Sequence, residues 1–183
     1  MTEFNHALFL WFNLDSGTQK IWLDLARFAS LTLPQWLVVA TLAVAFAGAA
    51  PARLAAWRTL FSVALAAAAA LALKPLFHWP RPFALGLGTR WVEHAADPTF
   101  PSSHACVMAA LAAAVILAPG GGPRKALAAA LALAAALLVS WSRMALGLHF
   151  PLDVLGGWCV GVLCALVVRA GWARLAASAP GKS

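Results

Sequence analysis

The chain has 183 residues, 63% of them hydrophobic and only 10% charged, with a formal net charge of +7. Soluble domains average roughly 45–50% apolar and about 25% charged residues, so a soluble globule this oily would expose apolar patches and aggregate. Several apolar stretches also reach the ~20 residues that cross a bilayer as helix, and the expected fold class is an all-α polytopic membrane bundle with about five spans.

Glu3 to Phe12 sets Phe4, Leu8, Trp11 and Phe12 on one helical face, which predicts an interfacial helix over about residues 3–13. Asp15-Ser16-Gly17 signals a turn. The first span is apolar from Ile21 to Gly48, with its firm part over Leu33 to Ala47 and a kink or break near Pro34. A connector with Pro51, Arg53 and Arg58 precedes a second span from about Ala55 to Phe77, with Lys74 in its last turns. Residues 78–101 are polar and punctuated by Pro and Gly, a loop with a short helix expected around Arg90–His94. The third span runs from Ser103 to Leu117, the fourth from Arg124 to Leu146 and the fifth from Leu152 to Trp172, with a tight turn from Gly147 to Pro151. Small residues in these last spans allow close helix packing in lipid. Residues 1–183 are expected to form one membrane domain, and no removable signal peptide is expected at the start.

The charges set the topology. Arg53 and Arg58, Arg124 and Lys125, and Arg169, Arg174 and Lys182 alternate onto one side, which the positive-inside rule makes cytoplasmic. Loop 78–101 and the turn at 147–151 then face outward. Basic residues that sit in connectors mark membrane topology, so no nucleic-acid partner is expected. Cys106, Cys159 and Cys164 lie in apolar segments and read as small buried residues, without a disulfide framework.

Three polar islands meet on the outward side: Lys74 with Arg81-Pro82, then Pro101-Ser102-Ser103-His104, then Ser142-Arg143 with His149 and Asp153. Polar groups next to lipid are costly and are kept for use. Each island also has an ordinary reading. Asp153 alone would complement a helix dipole, a serine before Ser103 would cap a helix, and Lys74 alone would snorkel to the interface. Together they suit a phosphoryl group. A carboxylate near His149 fixes its tautomer and leaves the other nitrogen as nucleophile or base, and the helix start at Ser102 offers free N–H groups to an anion. His104 stands where it can protonate a leaving oxygen, and Lys74, Arg81 and Arg143 spread positive charge around the phosphate. His149 and Asp153 also sit at i,i+4 spacing for a metal, against which the neighbouring cations argue. His78 and His94 are expected to meet head groups or solvent.

The pattern Lys-x6-Arg-Pro, Pro-Ser-x-His, Ser-Arg-x5-His-x3-Asp resembles the signature of the type 2 phosphatidic acid phosphatase superfamily, with Ser103 where many members have Gly. The stretches His94 to His104 and Trp141 to Gly157, with Phe4 to Phe9 and Asn13, resemble the bacterial undecaprenyl-diphosphate phosphatases of that superfamily. The resemblance implies a helical bundle and a two-step mechanism without metal or other cofactor. In it His149 attacks phosphorus to form a phosphohistidine and Asp153 orients it. His104 protonates the leaving group and then activates water, while Lys74, Arg81, Ser102, Ser103 and Arg143 hold the phosphate. It implies a polyprenyl or phospholipid diphosphate substrate and membrane lipids as surroundings, with undecaprenyl diphosphate cleaved to undecaprenyl phosphate at the outer face of the bacterial inner membrane. Soluble haloperoxidases share the signature, but this composition excludes that branch.

Within enzymes, the alternatives are a phosphatase for phosphatidylglycerophosphate, phosphatidic acid or a lipid A phosphate, or a phosphotransferase using a lipid hydroxyl as acceptor. Outside enzymes, the alternative is a transporter or binding protein for an anionic lipid, with the cations as a docking site.

Overall fold

Apolar composition and absent strand patterning produce a helical fold. The computed structural model describes residues 3–178, and among them there are seven α-helices and no strand. These are α1 (Glu3–Phe12), α2 (Lys20–Leu31), α3 (Leu33–Ala47), α4 (Ala50–Leu73), α5 (Ser103–Leu117), α6 (Pro123–Ala145) and α7 (Pro151–Ser178). Short 3-10 turns at Lys74–Leu76 and Pro82–Leu85 punctuate the long loop between α4 and α5.

Among the described residues, three helices are long and apolar enough to cross a membrane alone: α4 with its terminal turn, α6 and α7. The α2–α3 pair qualifies only together and is bent by 42°, which realises the break expected near Pro34. Pro34 has no N–H for the helix ladder and its ring crowds the carbonyl four residues back, so the helix restarts at Leu33. The third expected span, α5, is apolar but has only 15 residues.

Several boundaries differ from expectation. α4 begins at Ala50 with Pro51 inside its first turn, where a missing N–H costs nothing, so Arg53 and Arg58 ride on the helix and not in a connector. α7 continues past Trp172 to Ser178 and carries Arg169 and Arg174. No helix forms around Arg90–His94. The helical turn in that loop is Pro82–Leu85, started by the fixed φ of Pro82 and stopped by Gly86 at φ 67°. Cys106 and Cys164 are buried as expected, but Cys159 is exposed on the outer face of α7.

The most buried helix is α5, with Ala105, Cys106, Met108 and Ala109 to Ala113 all enclosed. Its closest partner is α7. A Cβ at Gly161 would lie 2.2 Å from the Cys106 carbonyl oxygen, and one at Gly157 would lie 2.8 Å from the Ser102 carbonyl oxygen. Bare backbone against backbone is what lets these helices touch. The contact brings their N-termini together, and the Ser102 N–H donates to the Asp153 carbonyl at 3.1 Å. Hydroxyls on α4 are silenced within the helix, Thr59 bonding to Ala55 O at 3.0 Å and Ser62 to Arg58 O at 2.8 Å.

Helix α1 lies across the α6–α7 turn. Asn5 accepts from the Leu152 N–H and Phe9 packs edge-on to Phe150, while Phe4 and Trp11 stay 75% and 76% exposed. That outward apolar pair fits a helix lying in an interface. Asn13 ties this layer to the loop: its amide donates to Thr89 O and Ala145 O and accepts from the Thr89 N–H at 2.7 Å. At the far end of α5, an apolar cavity of about 540 Å³ opens among Leu37, Val44, Ala55, Leu111, Val115 and Leu131, away from the polar cluster.

Candidate active site

The three polar islands converge where α5 and α7 begin and α6 ends. Pro101 and Ser102 lead into α5, and Arg143 lies in the last turn of α6. His149 sits in the α6–α7 turn and Asp153 in the first turn of α7. The turn reverses at Gly147, whose φ of 78° would strain any L side chain and whose Cβ position lies 2.3 Å from Thr89 O. Arg81, Ser102, Arg143, His149 and Asp153 are each at most 2% exposed. So many buried polar side chains in an apolar bundle need compensating partners.

Arg81 finds most of its partners within the protein. Its Nη1 donates to Leu148 O at 2.9 Å and lies 3.2 Å from His149 Nε2, and its Nε and Nη2 reach Asp97 Oδ1 at 3.2 and 2.9 Å. A guanidinium can only donate, so Nε2 of His149 is an acceptor and the ring proton belongs on Nδ1. On that side Nδ1 lies 3.1 Å from Thr99 Oγ1, which is itself 2.6 Å from Asp153 Oδ2. The direct His149–Asp153 separation is 3.6 Å, too long for a hydrogen bond. The pairing expected from sequence is therefore bridged by a threonine. Asp153 Oδ2 also accepts from the Phe150 N–H at 2.7 Å, the helix-start role considered for it.

Lys74 does not snorkel. Its ammonium pairs with Asp97, which it shares with Arg81. Burial pushes the Asp97 carboxyl up, but the Lys74 and Arg81 cations outweigh it and hold the group below its usual value. Burial lowers the Arg81 guanidinium, with Asp97 opposing. His149 is driven well below the ordinary imidazole value, first by burial and then by Arg143, Arg81 and Lys74, so the ring is neutral.

Some donors remain unused. Arg143 Nη1 donates to Ser30 Oγ of α2, yet Arg143 Nε and Nη2 and Ser102 Oγ are buried without a hydrogen-bond partner among the described residues, as is Asp153 Oδ1. Ser102 occupies the N-cap position of α5, but its side chain makes no capping bond, so the ordinary reading of that serine fails. Ser103 and His104 follow on the first turn of α5, and His104 lies within the electrostatic reach of Arg143, His94, Lys74 and Arg81. An unpaired guanidinium edge, an unpaired hydroxyl and a helix start thus share the cluster with the lone-pair nitrogen of His149. That arrangement can seat a tetrahedral anion beside a nucleophile. No three His, Cys, Asp or Glu side chains gather as a metal-ligand set among the described residues.

Four residues of the cluster escaped sequence reasoning: Ser30, His94, Asp97 and Thr99. His94 was expected to face head groups or solvent, but it sits 3.7 Å from Asp97 Oδ1, and burial followed by Arg81 and Arg143 lowers its pKa. His78 is exposed as expected. Thr99 and Asp97 lie in a loop whose register only folding reveals, and the sole cue was an acidic residue left among cations in an otherwise apolar chain.

The fold and cluster define a multi-pass membrane protein with a buried cluster of cationic and hydroxyl side chains near a neutral histidine. The chain belongs to the PAP2 superfamily, whose family model matches residues 55–176. It is 35% identical over 97 residues to a protein of Escherichia coli (strain K12) named "Putative undecaprenyl-diphosphatase YbjG". The match covers 53% of this chain and spans 46% of that protein. The fold is similar to Aquifex aeolicus LpxE, with a TM-score of 0.70 at 21% identity over 92% of this chain and 96% of that one. It is also similar to a PAP2-type phosphatidylglycerolphosphate phosphatase from Bacillus subtilis, with a TM-score of 0.64 at 21% identity over 94% and 84% of the two chains.

Proposed function

We propose that this phosphatase removes the terminal phosphate of undecaprenyl diphosphate at the outer face of the bacterial inner membrane, through a phosphohistidine on His149. The observation that carries the reading is the His149 ring: neutral, with the Nε2 lone pair 3.2 Å from the Arg81 donor and within the electrostatic reach of Arg143. In this mechanism Nε2 forms a bond to phosphorus while the bond to the bridging oxygen breaks. His104 gives the departing oxygen its proton and then takes one from the water that cleaves the P–N bond. Arg143, Ser102, Ser103 and the first N–H groups of α5 hold the equatorial oxygens, with Lys74 and Arg81 completing the charge.

Support for the polyprenyl substrate comes from the similarity to YbjG. Support for the outward site comes from basic residues on the opposite ends of the helices, Arg53, Arg58, Arg124 and Lys125 among them. The test is phosphate release by the purified protein from undecaprenyl diphosphate, phosphatidylglycerophosphate, phosphatidic acid and a lipid A phosphate. The expected preference is for undecaprenyl diphosphate, with turnover abolished in His149→Ala and an acid-labile, base-stable phosphoenzyme trapped in the wild type. A preference for another lipid refutes the substrate, and full turnover by His149→Ala refutes the phosphohistidine. Phosphate appearing on a lipid hydroxyl instead of in water assigns the protein as a transferase.

A further inference from the structure

We infer that Thr99 is the positioning residue that joins the nucleophilic histidine to its carboxylate, through a two-bond relay from His149 Nδ1–H to Thr99 Oγ1 and from Thr99 Oγ1–H to Asp153 Oδ2.

The geometry leaves one assignment of protons. Thr99 Oγ1 has a single hydrogen and two polar neighbours, Asp153 Oδ2 at 2.6 Å and His149 Nδ1 at 3.1 Å. A carboxylate oxygen has no proton to give, so the hydroxyl donates to Asp153. The remaining contact is then an Nδ1–H donating to Oγ1. Independently, Arg81 Nη1 lies 3.2 Å from Nε2 and can only donate, which also requires the proton on Nδ1. Two separate hydrogen-bond arguments give the same tautomer. Without the threonine, the carboxylate stands 3.6 Å from the ring and does not bond to it directly.

The threonine is held for this task. It is fully buried, and its N–H donates to Trp79 O at 2.9 Å, which pins the loop strand on which it sits. Its β-branch restricts the side-chain torsion, so the hydroxyl stays between ring and carboxylate. When Nε2 attacks phosphorus, positive charge develops on the ring, and a donating Nδ1–H backed by an anion stabilises that charge. The relay transmits polarisation with every proton staying on its own atom. Thr99 touches neither phosphate nor leaving group, so its role is exerted through His149.

This inference rests on the phosphohistidine reading, and the experiment separates the two. Thr99→Val keeps the shape and removes the hydroxyl; Thr99→Ser keeps the hydroxyl and removes the methyl. Thr99→Val is expected to lower kcat about 100-fold with KM changed less than threefold, because ring polarisation matters as charge develops and the binding donors are untouched. Thr99→Ser is expected to stay within about fivefold of wild type on the same ground. Nitrogen NMR of the ring should show the Nδ1–H tautomer in all three proteins, because Arg81 still donates to Nε2, with the Nδ1 resonance displaced only in Thr99→Val, at unchanged melting temperature. Rapid-quench trapping then divides the failures. Phosphoenzyme that forms at the wild-type rate in Thr99→Val overturns the relay and leaves the phosphohistidine standing. A Thr99→Val loss with no phosphoenzyme in the wild type overturns the phosphohistidine and leaves Thr99 orienting His149 as a base. If Thr99→Val loses its fold, a Thr99→Ser variant with the wrong tautomer or a 100-fold loss still overturns the relay.

Discussion

Arg143 offers the sharpest test of the cradle. Its guanidinium is 1% exposed and spends one nitrogen on Ser30, while Nε and Nη2 have no partner among the described residues. Those two nitrogens form an edge suited to two parallel bonds to phosphate oxygens. A hydrogen bond to a charged group contributes about 1.5–3 kcal/mol, so losing the pair removes about 3–6 kcal/mol of transition-state binding. At 1.36 kcal/mol per decade, Arg143→Met should lower kcat/KM by roughly two to four orders of magnitude. Methionine fills much of the same volume without the charge. The arginine is a buried, half-paired cation, so its replacement should leave thermal stability unchanged or raised. Phosphate release from lipid diphosphate in mixed micelles gives the first quantity, and fluorescence-monitored melting in the same detergent gives the second. A variant that keeps kcat/KM within tenfold of wild type would refute the placement of phosphate on that edge. A large fall in melting temperature would refute the idea that function, and not folding, retains the charge.

Asp97 occupies two of the cations that phosphate would use, so Asp97→Asn should tighten inhibition by inorganic phosphate or vanadate. With each partly exposed ion pair worth up to about 1 kcal/mol, the inhibition constant should fall roughly 3–20-fold; an unchanged or higher constant counts against the competition. His149 has a depressed pKa, from burial first and then from Arg143, Arg81 and Lys74, so histidine NMR of the resting protein should show this ring neutral at pH 5.5, well under the ordinary value of about 6.5. The linked sign follows: as pH falls below about 6.5 the unfolded chain takes up a proton that the native ring refuses, so His149 lowers stability progressively down to its own depressed pKa. A ring that titrates near 6.5 in the folded protein contradicts this.

The helical order and most of the cluster were legible because both depend on local signals. Runs of Ala, Leu and Val with few charges dictate spanning helices, and α5 starts and stops where Ser102-Ser103 and Pro119 punctuate the sequence. The motif residues were readable because cations and histidines in an oily chain stand out. Chain partners were not. Whether Lys74 snorkels or pairs depends on where Asp97 lands after a loop of irregular backbone, and that is fixed by contacts such as Thr99 N–H to Trp79 O. Likewise, i,i+4 spacing places His149 and Asp153 on neighbouring turns but says nothing of the threonine that enters between them. Arg90–His94 misled for a related reason: Asn13 and Leu146 hold the Thr89–Trp91 backbone extended, through Thr89 N–H to Asn13 Oδ1 and Trp91 N–H to Leu146 O.

The brevity of α5 fixes how deep the chemistry lies. Fifteen residues rise about 22 Å, whereas the hydrocarbon layer is ~30 Å thick. With its Leu117 end at one boundary, the Ser102–His104 end stops about 8 Å short of the other. On the proposed function, the end that would hold phosphate then sits beneath the head-group level, and either the bilayer dimples there or the lipid head sinks to meet it. Membrane thickness thereby becomes a kinetic variable: proteoliposomes of shorter-chain lipid should turn over faster than those of longer-chain lipid at equal substrate density.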